Sequence, residues 1–169
     1  YGLLIGKAQL YPGSFRFLWR CSFKGWAPIV VSHKTKFGHY DPEQIPLREA
    51  AMNFLKLEEI WGANESDLLS EIYFESSREE KLQTIENLGL DVFIDDLPEV
   101  FEEKLFPPET KKILFGSYKP KLFHNTTILN SWRKIFEKIL GQTTNKDITA
   151  WSKLVLDEPI KEIKKILGR

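Results

Sequence analysis

Apolar residues recur along this chain in two rhythms. After the turn signal Tyr11-Pro12-Gly13, the residues Phe15, Leu18 and Ser22, with Phe17 and Cys21 beside them, give a helical stripe that ends near Gly25. Pro28-Ile29-Val30-Val31-Ser32 is a short run rich in β-branched residues, which predicts a buried strand. Leu47, Ala50, Ala51, Phe54 and Leu55 return to helical spacing, and Ile72-Tyr73-Phe74 predicts a second strand. Ser77-Arg78-Glu79-Glu80 is a capping box that opens a helix with Leu82, Ile85 and Leu88 on its apolar face and Gly89 at its end. Val92-Phe93-Ile94 predicts a third strand ending in Asp95-Asp96, Leu97 to Leu105 a short helix, and Lys112-Ile113-Leu114-Phe115 a fourth strand stopped by Gly116. Strands alternating with helices imply an α/β fold, a parallel sheet flanked by helices.

The pattern changes after residue 116. Ser117 to Thr127 reads as a loop centred on Lys119-Pro120-Lys121. Helical stripes follow: Trp132, Ile135, Phe136, Ile139 and Leu140 up to Gly141, then Ile148, Trp151, Leu154 and Val155, then Ile160, Ile163, Ile166 and Leu167. The expected organisation is an α/β domain over 1–116, a loop or linker over 117–130, and a helical appendage or the start of a second domain over 131–169.

The 24 basic and 24 acidic residues give zero net charge, which excludes a highly basic nucleic-acid tail. The zero is a cancellation between blocks. Residues 1–40 hold six basic residues and no acid, residues 41–110 five basic residues and 19 acids, and residues 111–169 13 basic residues and five acids. Basic residues in the last block are interspersed with Asp157, Glu158 and Glu162, the pattern of a solvated helix face, so no nucleic-acid partner is expected. Cys21 is the only cysteine, which excludes an intramolecular disulfide and suits a reducing, cytoplasmic setting. No apolar run approaches the ~18 residues of a membrane helix, so no membrane partner is expected.

In open parallel sheets, sites form at the carboxyl ends of strands. Ser32-His33-Lys34-Thr35 follows the first strand, and Asp95-Asp96 the third. Ser32 can donate to a phosphate oxygen, with His33 and Lys34 beside it; each reads equally as an ordinary loop residue. Adjacent carboxylates suit Mg²⁺, although Asp96-Leu97-Pro98-Glu99 also resembles a capping box in which Asp96 only caps the next helix. His39 and His124 have no ligand-like spacing. Lys81 falls four positions past the Ser77 cap, where a cation opposes the helix dipole. Helical side chains lean toward the N-terminus, so Lys81 reaches back toward the sheet's carboxyl edge. Its neighbours three and four away, Ser77, Arg78, Thr84 and Ile85, include no acid, which leaves solvent exposure as the plain alternative.

Ser32 in Ile-Val-Val-Ser-His-Lys-Thr, Lys81 in Glu-Glu-Lys-Leu and Asp95-Asp96 in Val-Phe-Ile-Asp-Asp-Leu-Pro-Glu-Val resemble, in order, motifs II, III and IV of the haloacid dehalogenase-like (HAD) hydrolase superfamily. The resemblance covers about residues 10 to 116. It implies a HAD-like, Rossmann-like sheet and a phosphohydrolase acting on a small phosphorylated metabolite. Ser32, with His33 and Lys34, would bind the phosphoryl group, Lys81 would neutralise phosphate and nucleophile, and Asp95 and Asp96 would bind Mg²⁺. The family's nucleophile is an aspartate of an Asp-x-Asp motif on its central first strand, where an aspartyl-phosphate forms. No Asp-x-Asp occurs here, and no acid precedes Asp41. The resemblance therefore implies a fragment that lacks the first strand and is inactive by itself. It further implies that the strands ending at Ser32 and Asp95 pair directly or leave a gap, or that the fragment unfolds partly, with reduced stability. The alternative is a non-catalytic HAD-derived ligand-binding or interaction module. The end of the chain, Ile166-Leu167-Gly168-Arg169, resembles the approach to an aminoglycoside phosphotransferase-like domain, which would be a fused C-terminal partner; a plain helical tail accounts for it as well.

Overall fold

The computed structural model describes residues 7–38, 42–62, 67–118 and 125–141. The chain divides into two compact units, Tyr1–Ile135 and Phe136–Arg169. The described part of the second unit is the end of one helix. The expected helices around Ile148 to Val155 and Ile160 to Leu167, the loop centre Lys119-Pro120-Lys121, and His39 and His124 lie outside the described residues.

The first unit is α/β. Its elements run α1 (Ser14–Phe23), β1 (Ile29–His33), α2 (Leu47–Leu57), β2 (Glu71–Glu75), α3 (Arg78–Leu88), β3 (Val92–Asp95), α4 (Pro98–Glu102), β4 (Lys111–Phe115), β5 (Thr126–Leu129) and the start of α5 (Trp132–Leu140). Every strand pair is parallel, as the apolar strand runs predict. The four expected strands are present. The segment read as a loop, however, contains β5, which pairs with β4 from Lys112↔Thr126 to Phe115↔Leu129. Thr126-Thr127-Ile128-Leu129 is short and follows polar residues, so its β-branched content was its only strand signal.

The strands form two sheets, β1-β2 and β3-β4-β5. Among the described residues no backbone pairing joins them, although helices on both faces do. On one face Val31 of β1 and Phe93 of β3 meet Leu82 and Ile85 of α3 in one buried cluster with Val100 and Leu114. On the other, Leu18 and Trp19 of α1 pack around Ile60, Leu68 and Leu69 beside Val30 and Ile72. The same helix sends Phe17 against Trp132, ring centroids 4.9 Å apart, and Trp132 in turn meets Phe115 of β4 at 5.4 Å. The result is a Rossmann-like arrangement of parallel strands between helices, with β1 and β3 each paired along one side. The stripe on α1 differs from its sequence reading. Ser14, Phe17 and Cys21 face inward, while Phe15 is 43% exposed and Ser22 lies outside the core.

Candidate functional site

Ser77 caps α3. Its hydroxyl accepts from the Glu80 amide at 3.1 Å. The Glu80 carboxylate reaches back to the amide of Ser76 at 2.8 Å, one residue earlier than a standard capping box. Gly89 closes the helix in the left-handed conformation, φ 57°. This frame sets the rotation of α3 and turns Lys81 inward.

Lys81 is 5% exposed, so the solvent-exposed alternative does not hold. Its Nζ donates to Asp95 Oδ2 at the end of β3 and lies 5.3 Å from the Phe93 ring centroid. Both side chains of this ion pair are under a tenth exposed. The other Asp95 oxygen, Oδ1, accepts from the Leu97 amide at 2.9 Å, which turns the chain into α4. The alternative in which Asp96 only caps the next helix therefore does not hold. The N-cap of α4 is Leu97, with no side-chain hydrogen bond, and the acid that organises the turn is Asp95. Asp96 is exposed, and its carbonyl accepts from the Tyr118 hydroxyl at 2.8 Å. Tyr118 folds back over Gly116, whose φ of 152° and lack of a side chain leave room for the ring. A Cβ there would lie 2.5 Å from Tyr118 Cε2.

Ser32 stands near the carboxyl end of β1, opposite Phe74 of β2. Its hydroxyl makes no hydrogen bond among the described residues. His33 is exposed, and its Nε2 donates to the Ser76 carbonyl at 3.1 Å. A carbonyl only accepts, so this contact selects a ring with a proton on Nε2. The Lys34 amide donates to the Glu75 carbonyl at 2.8 Å, carrying the β1–β2 ladder one residue further. Burial pushes the Lys34 ammonium below its ordinary pKa.

Arg48, in the first turn of α2, was not foreseen. Its Nε donates to the Lys34 carbonyl at 3.0 Å and its Nη2 to Ser76 Oγ at 2.8 Å. One planar guanidinium thus ties the loop after β1 to the loop after β2. The only signal in the sequence was a cation soon after the Pro46 helix start, which has many other uses.

The predicted residues therefore fall into two groups at carboxyl ends of strands. Lys81 and Asp95 touch, with Asp96 adjacent; Ser32, His33 and Lys34 sit at the end of β1 with Arg48. Across the strand alternation, Ser32 shares a face with Val30 on the α1 side, while Asp95 shares a face with Phe93 on the α3 side. No group of three or more histidine, cysteine, aspartate or glutamate side chains suited to a metal occurs among the described residues. Nor is any described helix long and apolar enough to cross a membrane. No family model matches the chain, and no curated protein or solved structure matches it either.

Proposed function

We propose that this chain carries the phosphate- and metal-binding part of a HAD-like, Mg²⁺-dependent phosphohydrolase for a small phosphorylated metabolite. The observation that carries the reading is Lys81. It is a buried lysine near the start of a helix, held against an acid at a strand end, in a fold where such edges bind ligands. The hydroxyl of Ser32 at the end of β1, which makes no hydrogen bond among the described residues, adds a donor for a phosphate oxygen. In this reading Lys81, held in place by Asp95, stabilises charge on the phosphoryl group. Asp95 and Asp96 would hold Mg²⁺, which takes one or two protein carboxylates and fills its remaining positions with water and phosphate oxygens. When bound, the ion would offset the negative charge of the phosphoryl group.

The chemistry also needs a carboxylate nucleophile. Its oxygen bonds to phosphorus as the ester oxygen leaves with a proton, and water then releases inorganic phosphate. The sides of β1 and β3 that pair with no strand among the described residues suit a further parallel strand that would bring such an aspartate between Ser32 and Lys81. The chain of 169 residues is accordingly expected to bind inorganic phosphate with Mg²⁺ but not to hydrolyse p-nitrophenyl phosphate. Strong Mg²⁺-dependent turnover by this chain alone would sink the reading. An Asp-x-Asp strand encoded upstream, with turnover restored when it is included, is the expected outcome for the longer product.

A second reading is a non-catalytic, HAD-derived binding module. Both oxygens of Asp95 are already engaged, by Lys81 and by the Leu97 amide, which favours a structural use of this acid. A gene without an upstream Asp-x-Asp strand, and Mg²⁺ binding unchanged by Asp95→Asn, would select it.

A further inference from the structure

An open cleft of about 390 Å³ lies between α2 and β2. That volume falls within the range of small-molecule sites. Ile72 and Phe74 of β2 form its floor, Met52 and Trp61 add apolar walls, and Arg48, Glu49 and Asn53 supply the polar groups. Two relationships connect it to the candidate phosphate site. Phe74 is the register partner of Ser32, and side chains at paired positions of neighbouring strands share a face. Arg48 borders the cleft and also holds the Lys34 carbonyl and the Ser76 hydroxyl.

We infer that this cleft seats the organic body of the phosphate monoester, and that the body is an aryl or heteroaryl group. The inference rests on the reading of Ser32 as a phosphate ligand. A ring entering beside Ser32 meets Phe74 and Trp61, two aromatic faces suited to offset or edge contact. Ile72 and Met52 complete the apolar surroundings, and the thioether of Met52 adapts to ring edges. Arg48 and Glu49 carry opposite charges at the cleft, so its lining is balanced and suits a neutral ring. Asn53 offers both a donor and an acceptor for a ring substituent. A short polyol phosphate would leave the apolar floor uncovered.

The test is calorimetric titration of the 169-residue chain, in Mg²⁺ buffer, with inorganic phosphate, phenol and phenyl phosphate. Phenyl phosphate is expected to bind about tenfold more tightly than inorganic phosphate, the gain of one good aromatic contact. Trp61→Ala is expected to erase that difference while leaving affinity for inorganic phosphate unchanged, and Trp61→Phe to keep most of it. Because Trp61 also borders a small core cluster, Met52→Trp serves as a second variant. It fills the cleft from α2 and should remove the same increment without emptying the core. Equal affinities for phenyl phosphate and inorganic phosphate overturn the cleft assignment, as does an increment that survives both Trp61→Ala and Met52→Trp. Failure to bind inorganic phosphate at all is a different result. It overturns the role given to Ser32, and the inference falls with it.

Discussion

Lys81 of α3 and Asp95 of β3 form an ion pair that is almost dry, the two side chains being 6% and 8% exposed. A buried pair of this kind is costly to break from one side, because the remaining charge keeps its desolvation penalty and loses its partner. Lys81→Met or Asp95→Leu alone is expected to destabilise the fold by about 3–5 kcal/mol. The double change is expected to cost clearly less than the sum of the two. Urea denaturation of the four members of the cycle checks this, and additivity would show that the pair is not coupled.

Ser32 is expected to behave in the opposite way. Its hydroxyl has no hydrogen bond among the described residues, so Ser32→Ala should change stability by no more than about 0.5 kcal/mol. If the hydroxyl holds a phosphate oxygen, affinity for inorganic phosphate should fall about ten- to a hundredfold, the value of a hydrogen bond to a charged group. Chemical denaturation and calorimetry on the same variant separate the two effects.

Arg48 connects two loops through a planar fork, and that geometry is hard to replace. Arg48→Ala is expected to cost about 1–2 kcal/mol, from the bonds to the Lys34 carbonyl and Ser76 Oγ. Arg48→Lys should recover little, since an ammonium does not reproduce two divergent donors. Amide exchange at Lys34, whose N–H is held by Glu75, should quicken in both variants if the tie is as described.

Cys21 offers a reading of the α1 face. Burial pushes its thiol up from 9.0 to about 11. The unfolded thiol therefore ionises first as pH rises, and the folded state loses stability between about pH 9 and 11. Below pH 9 this contribution is fully present. Urea midpoints from pH 7 to 10.5 should fall more steeply for the wild type than for Cys21→Ala. Alkylation at pH 8 should be slow in the native protein, because the reactive species is the thiolate. As the chain has one cysteine, any label reports on this position alone.

Much of the α/β order was legible because its signals are local. The Ser77 cap, the Gly89 stop and the β-branched runs of β1 and β3 each depend on a few neighbouring residues. Lys81 was half legible: its place in the first turns of α3 and the absence of helix-face acids left the sheet edge or plain solvent as its destination, and only its burial against Asp95 decides between them. The pattern failed where the deciding contact is distant. Thr126–Leu129 becomes a strand because β4 offers it a parallel partner, which no four-residue string announces. Asp95 rather than Asp96 organises the turn into α4 because Lys81 draws Asp95 inward and leaves its second oxygen facing the Leu97 amide. Arg48 was missed because its partners, Lys34 and Ser76, lie 14 and 28 residues away.

The division of the strands into two sheets has a consequence for how the domain comes apart. A continuous ladder would pass strain from β2 to β5 through backbone hydrogen bonds, which are directional and stiff. Among the described residues the two halves communicate through side chains of α3 and, by way of Trp132, of α1, and those contacts are short-ranged and easily loosened. Leu82 and Ile85 act as rivets between two plates. A small cavity at either position would let each plate open on its own, turning a single cooperative transition into two.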